Sequence, residues 1–199
     1  MSQPEPGDLS DLSDLSAMAD EELMLLVANG LIEEPATELF RRHNRALFNF
    51  VAWLCGGNTG EAEDLTQKTW VKLMTRCADY QPGEAAFRSF LFQIARNAWM
   101  DARRGAYEAT RVELDESHHD IPSEDLGAEQ LAGLRQQQHR VRAAVLALPA
   151  AQREVVVLRF FSDMSVEDIA AVVGEGFETV KSRLRYAFGK LRRELEGVA

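Results

Sequence analysis

From Leu23 to Ala102, and again from Val155 to Leu195, the apolar residues recur at intervals of three and four, and no β pattern of comparable strength competes with them. Such spacing gives each segment one apolar stripe on a helix, so the sequence predicts an all-α chain. Leu65, Thr69, Leu73 and Cys77 form one stripe, flanked by Ala62, Trp70 and Met74. Phe87, Phe90, Leu91, Ile94, Ala95, Ala98 and Ala102 form a second, and Phe177, Val180, Leu184, Phe188, Leu191 and Leu195 a third. An earlier helix starts at Asp20 and closes near Gly30; another, through Leu39, Leu47, Phe50 and Leu54, stops at Gly56 to Asn58.

Between Ala106 and about Gln130 the periodicity fades, Pro122 and Gly127 appear and acids accumulate. This divides the chain into an acidic flexible tail (1–19), a first helical domain (20–105), an acidic flexible linker (106–139) and a second helical domain (140–199). Charge follows the same division, although the whole chain carries -10. Residues 1–40 hold ten acids and no Lys or Arg, and residues 106–140 hold eight acids against three bases. Residues 41–105 are +4 and residues 141–199 are +1. The acidity therefore belongs to tail and linker, while the packed units are neutral or basic.

No apolar run approaches the roughly 20 residues that a membrane span needs, and the acidic start lacks the basic and apolar blocks of a signal peptide. A cytoplasmic protein without membrane insertion is expected. Cys55 and Cys77 are too few and too far apart for a CxxC metal site and read as small apolar residues. His118 to Asp120 has no second ligand cluster, so neither a metal nor a cofactor is expected. No nucleophile motif, phosphate-cradling loop or separate carboxylate pair is present, and no catalytic residue is assigned.

Two basic segments carry the functional signal. Near the C-terminus, Pro149 suits the first turn of a helix, and "SVED" at Ser165 to Asp168 has capping-box form ahead of Ile169, Val172 and Val173. "GEG" at Gly174 to Gly176 turns the chain into a longer basic helix. That order is helix-turn-helix geometry, whose second helix enters the DNA major groove by its N-terminal half. Thr179, Lys181, Ser182 and Arg185 lie outward there, where they suit base edges and phosphates, and Arg183 suits the DNA backbone or a protein partner. In the first domain, Arg88, Arg96, Arg103 and Arg104 sit beside Phe92 and Trp99. Cations for phosphates and rings for unstacked bases are what single-stranded DNA binding uses, while core or interdomain packing is the equal alternative for Phe92 and Trp99.

"LPAAQREVVVLRFFSDMSVEDIAAVVGEGFETVKSRLRYAFGKLRREL" resembles region 4 of bacterial RNA polymerase sigma factors, the part that binds the minus-35 promoter element. "AEDLTQKTWVKL" and "FRSFLFQIARNAWMDARRG" resemble region 2, which binds the polymerase core and opens the minus-10 element. With only these regions and a short linker, the chain is similar to the extracytoplasmic-function (ECF) group. The resemblance implies a non-enzymatic transcription initiation factor whose partners are core polymerase, through its largest-subunit clamp helices and its flap region, and promoter DNA. An anti-sigma factor is the common inhibitor in the group.

By the same resemblance, Glu61, Glu63, Asp64, Gln67 and Trp70 fill the core-docking pattern, with Lys68 at a place usually held by Glu. Arg88, Phe92, Arg96, Asn97, Trp99 and Arg103 fall on the minus-10 side, and Thr179, Lys181, Ser182, Arg183 and Arg185 on the minus-35 side. Glu175 stands where the group has an apolar residue, and Gly176 where it has a capping Ser. A phosphate on Thr66 or Thr69 would restore the negative charge that Lys68 removes.

Overall fold

A computed structural model describes residues 15–83, 86–109 and 130–196. They form α1 (Asp20–Ala28), α2 (Glu33–Leu54), α3 (Thr59–Thr75), α4 (Phe87–Ala109), α5 (Gln130–Leu146), α6 (Ala150–Phe160), α7 (Val166–Val173) and α8 (Phe177–Glu196), with short 3-10 turns at Leu15–Ala17 and Cys77–Asp79. The chain is all-α and builds two helical domains, α1–α4 and α5–α8.

The first domain closes around Leu23, Leu39, Leu47, Phe50, Leu73, Phe87, Leu91 and Phe92, all fully buried. Burying a side chain of this size favours folding by about 1.5–3 kcal/mol, so this cluster is what holds four amphipathic helices together. Its N-terminal border lies earlier than expected. Arg42 donates to the carbonyls of Leu15, Ser16 and Met18 and pairs with Asp20 at 2.8 Å. Residues 15–19, assigned to a flexible tail from composition, are thereby anchored on α2. Only residues 1–14 of that tail lie outside the described residues.

The linker is also shorter in structure than in composition. Helix α4 runs on to Ala109, and α5 already begins at Gln130, where weak apolar spacing suggested linker as far as 139. His118 to Asp120 fall outside the described residues. In the second domain Pro149 is the N-cap of α6, one position before the first turn. The Ser165 capping box forms with Asp168, and Gly174 ends α7 in the left-handed conformation at φ 68°. Val180, Leu184 and Ala187 are the buried face of α8. Phe177 and Phe188, expected inside, remain exposed, and Phe188 meets exposed Phe160 edge to face at 5.1 Å.

The two domains touch. Helix α4 packs on α7 and α2 on α6, with Trp53 and Phe161 rings 4.9 Å apart. Ser89 donates to Asp168 at 3.1 Å, Gln93 to the Ala171 carbonyl at 3.5 Å, and Arg96 to Glu154 at 2.5 Å. The second side of α4 is why its buried arc is wider than one stripe and includes Ser89 and Phe92.

Candidate nucleic-acid interface

The start of α3 is fixed by Asn58, whose Oδ1 accepts from the Glu61 amide at 3.1 Å. With Ala62, Leu65, Thr69 and Leu73 turned inward, Glu61, Glu63, Asp64 and Gln67 are left exposed on the outer face. Lys68 is exposed among them and holds Asp64 at 2.5 Å. It neutralises one acid of the group rather than disturbing the helix. Trp70 is largely buried: its Nε1 donates to Asn44 Oδ1 at 3.0 Å and its ring packs 5.1 Å from Phe40. The apolar surface beside the acids is instead Phe40 and Val71, both exposed and both missed from the sequence. Neither broke a recognisable pattern; an apolar residue off the core stripe of α3 was the available signal.

Thr66 and Thr69 are not accessible for modification. Both side chains are buried, and their hydroxyls donate to the carbonyls of Ala62 and Leu65 one turn back. The expectation of a phosphate there is corrected by the way α3 seats on the core.

A cleft of about 380 Å³ lies between α3 and α4, lined by Lys72, Arg76, Ile94, Arg96, Asn97, Met100, Asp101 and Arg104. Four cations and one acid line it: Asp101 sits 3.7 Å from Lys72, while Arg76 and Arg96 pair with acids outside the lining, Asp79 and Glu154. Arg96 and Asn97 were expected on a minus-10 surface; Lys72, in the last turn of α3, and Arg76, its C-cap residue, were missed, and their spacing of four residues sets both toward α4. Arg103 is exposed and lies over the half-buried Trp99 ring at 5.3 Å, so those two share a surface. Phe92 does not join it. Its ring is fully buried 5.1 Å from Phe50, because residue 92 falls where α4 turns from α2 toward α7. Arg88, half-buried, covers the edge of that core over Phe92 at 5.7 Å.

On α8, Lys181 and Arg185 are exposed, and Thr179 and Ser182 are half-buried, Ser182 donating to the Thr179 carbonyl. Arg183 is drawn sideways to Glu175 at 2.6 Å. The acid found in place of an apolar residue in the turn thus has a partner on the following helix. Burial pushes the Glu154 carboxyl up, while Arg96 and the nearby Arg183 pull it back down. Burial holds the His43 imidazole below its usual range despite Asp20 at 2.7 Å.

Comparison with known proteins matches residues 39–108 to Sigma-70 region 2 and residues 144–193 to Sigma-70 region 4. An ECF RNA polymerase sigma factor of Rhodopseudomonas palustris, EcfG, is 32% identical over 135 residues, covering 68% of this chain and 71% of that one. This chain belongs to the ECF sigma factors. The SigE of Mycolicibacterium smegmatis is 32% identical over 155 residues, 78% of this chain, and this chain spans 59% of that relative's length. The solved structure of RpoE with the anti-sigma factor NepR from Bartonella quintana is 27% identical, with a TM-score of 0.67 over 81% of this chain and 96% of that one.

As an ECF sigma factor the protein is a transcription initiation factor, not an enzyme, and directs RNA polymerase to promoters. Among the described residues no helix is long and apolar enough to cross a membrane. The family works in the cytoplasm. The basic cleft lies in the segment that matches region 2, and α7 and α8 lie in the segment that matches region 4.

Proposed function

We propose that the first domain docks core polymerase through Glu61, Glu63, Asp64 and Gln67, with Phe40 and Val71 as the apolar border and Trp70 packed behind Phe40. Exposed carboxylates at the start of a helix steer and orient a basic partner, such as the clamp helices of the largest subunit. The cleft between α3 and α4 takes the melted minus-10 strand: Lys72, Arg76, Arg96 and Arg104 hold phosphates, Asn97 meets a base edge, and Trp99 with Arg103 offers a stacking surface. Helices α7 and α8 act as a helix-turn-helix on the minus-35 duplex, with Thr179, Lys181, Ser182, Arg183 and Arg185 toward the groove. The exposed Phe160 and Phe188 pair is available to the flap region. An anti-sigma factor is a further partner, as for the Bartonella relative.

The observation that carries this reading is the convergence of four cations and one amide from two helices on a single cleft. The test is transcription by the reconstituted holoenzyme on duplex and on pre-opened bubble templates. Arg76→Ala with Arg104→Ala is expected to depress the duplex template far more than the bubble. Equal transcription from both templates, at wild-type level, would remove the cleft from strand capture.

A further inference from the structure

On α8 the residues turned inward are Val180, Leu184 and Ala187. At about 3.6 residues per turn the ridge directly opposite runs through Glu178, Ser182, Arg185 and Gly189, and it is open: a Cβ at Gly189 would meet nothing within 4 Å. The ridge therefore starts with an acid, in the half of the helix that a helix-turn-helix presents to base edges. The Glu178 side chain is 82% exposed and is joined to Lys181, 51% exposed, by a contact of 3.1 Å. Ser182 donates its hydroxyl to the Thr179 carbonyl, and Arg183 turns aside to Glu175, so Glu178 and Lys181 are the charges that lead the helix.

A carboxylate offers acceptors only. Phosphates repel it, so at this place it adds nothing to affinity for the DNA backbone and acts on base selection instead. The donors in the major groove are the amines of cytosine and adenine. Adenine sets the acceptor N7 beside its amine, and guanine and thymine present acceptors alone, whereas cytosine presents its N4 amine with no acceptor next to it. Cytosine is therefore the base that a carboxylate selects, and lone pairs on the wrong bases repel it. The Lys181 ammonium suits O6 and N7 of the guanine in the same pair. Cytosine N4 and guanine O6 are hydrogen-bonded to each other across that pair, so the two groups lie as close together as the Glu178 and Lys181 side chains do.

We propose that Glu178 is a specificity-determining residue of the reading helix, accepting from the N4 amine of a cytosine in the minus-35 duplex while Lys181 donates to the paired guanine. This rests on the helix-turn-helix reading above and adds the base pair that the helix selects. The contact between Glu178 and Lys181 holds both side chains over one position before DNA arrives. Selection at that position comes as much from repulsion of the wrong base as from attraction to the right one.

The test uses holoenzyme assembled from core polymerase and the full-length chain on templates whose minus-35 segment is randomised and whose minus-10 element is held constant. The templates that yield transcripts are sequenced. Wild type is expected to select a C·G pair at one minus-35 position. Glu178→Gln, whose amide matches the amine and N7 of adenine, is expected to shift that position from cytosine toward adenine by about tenfold and to leave the other positions as they were. Glu178→Ala is expected to lose the preference there and nowhere else. An acid that served only the positive end of the helix dipole would lower Tm when replaced and leave every base preference in place. Preferences unchanged in both variants, or a wild-type minus-35 element without a C·G pair, would overturn the assignment. A wild-type selection with no minus-35 preference at all would instead sink the helix-turn-helix reading on which it rests.

Discussion

Gly174 offers a test in which the sign of the effect is set by one dihedral angle. It ends α7 at φ 68°, ψ 34°, and a Cβ built there meets nothing within 4 Å. Gly174→Ala therefore introduces no clash, only the backbone cost of a left-handed residue, about 1–2 kcal/mol. Reduced freedom of the unfolded chain returns about 0.4–1 kcal/mol, which leaves a net loss near 1 kcal/mol. Gly189 is the matched control: it lies inside α8, has no positive φ and is equally free of neighbours. Gly189→Ala should stabilise by about 0.5–1 kcal/mol, since glycine is costly inside a helix. Followed by circular dichroism on heating, Gly174→Ala should lower Tm by about 4–8 °C if the second domain melts alone, and by about 2–4 °C if the chain melts as one. Gly189→Ala should raise it, and the double variant should return near wild type, because Gly174 precedes α8 and Gly189 lies more than three turns into it, too far apart to couple. A Gly174→Ala protein as stable as wild type would refute the left-handed cap and with it the turn between α7 and α8.

Acid should destabilise the first domain through His43, whose affinity for a proton is lowered by burial in the folded chain, while the unfolded chain binds one near pH 6.5. Protons therefore favour the unfolded state, so stability should fall as pH drops below about 6.5, and His43→Asn should flatten that slope in denaturant titrations. Thr69→Glu should unfold α3 rather than improve docking, because its side chain is fully buried; a stable variant with stronger core binding would contradict that placement. Lys68→Glu removes the partner of Asp64 and adds an acid to the exposed face. It should strengthen core binding at low salt by no more than about 1 kcal/mol and fade as salt rises, measured by titration against core polymerase.

Helix identity was legible wherever a stripe was dense. The Ser165 capping box could be foreseen from four residues, since its chemistry is local. Helix α5 was not, because "QLAGLRQQQHRV" has few apolar residues and gains its packing from α8 and α6. The same limit explains Phe92. Its neighbours Arg88 and Arg96 suggested a nucleic-acid surface, but which side of α4 faces α2 is decided by tertiary packing. Lys72 and Arg76 joined the cleft only once α3 and α4 lay side by side. Glu154, an acid directly ahead of three valines, was the clearest overlooked signal. A charged residue at a buried position requires a partner, and Arg96 is fifty-eight residues away in sequence.

Runoff transcription with purified core polymerase on a promoter library, with and without this protein, reads promoter selection itself. Transcripts should appear only when it is added, share two upstream elements at fixed spacing, and weaken when Asn97 or Lys181 is replaced by Ala. An absence of new transcripts together with an absence of core binding would contradict that role.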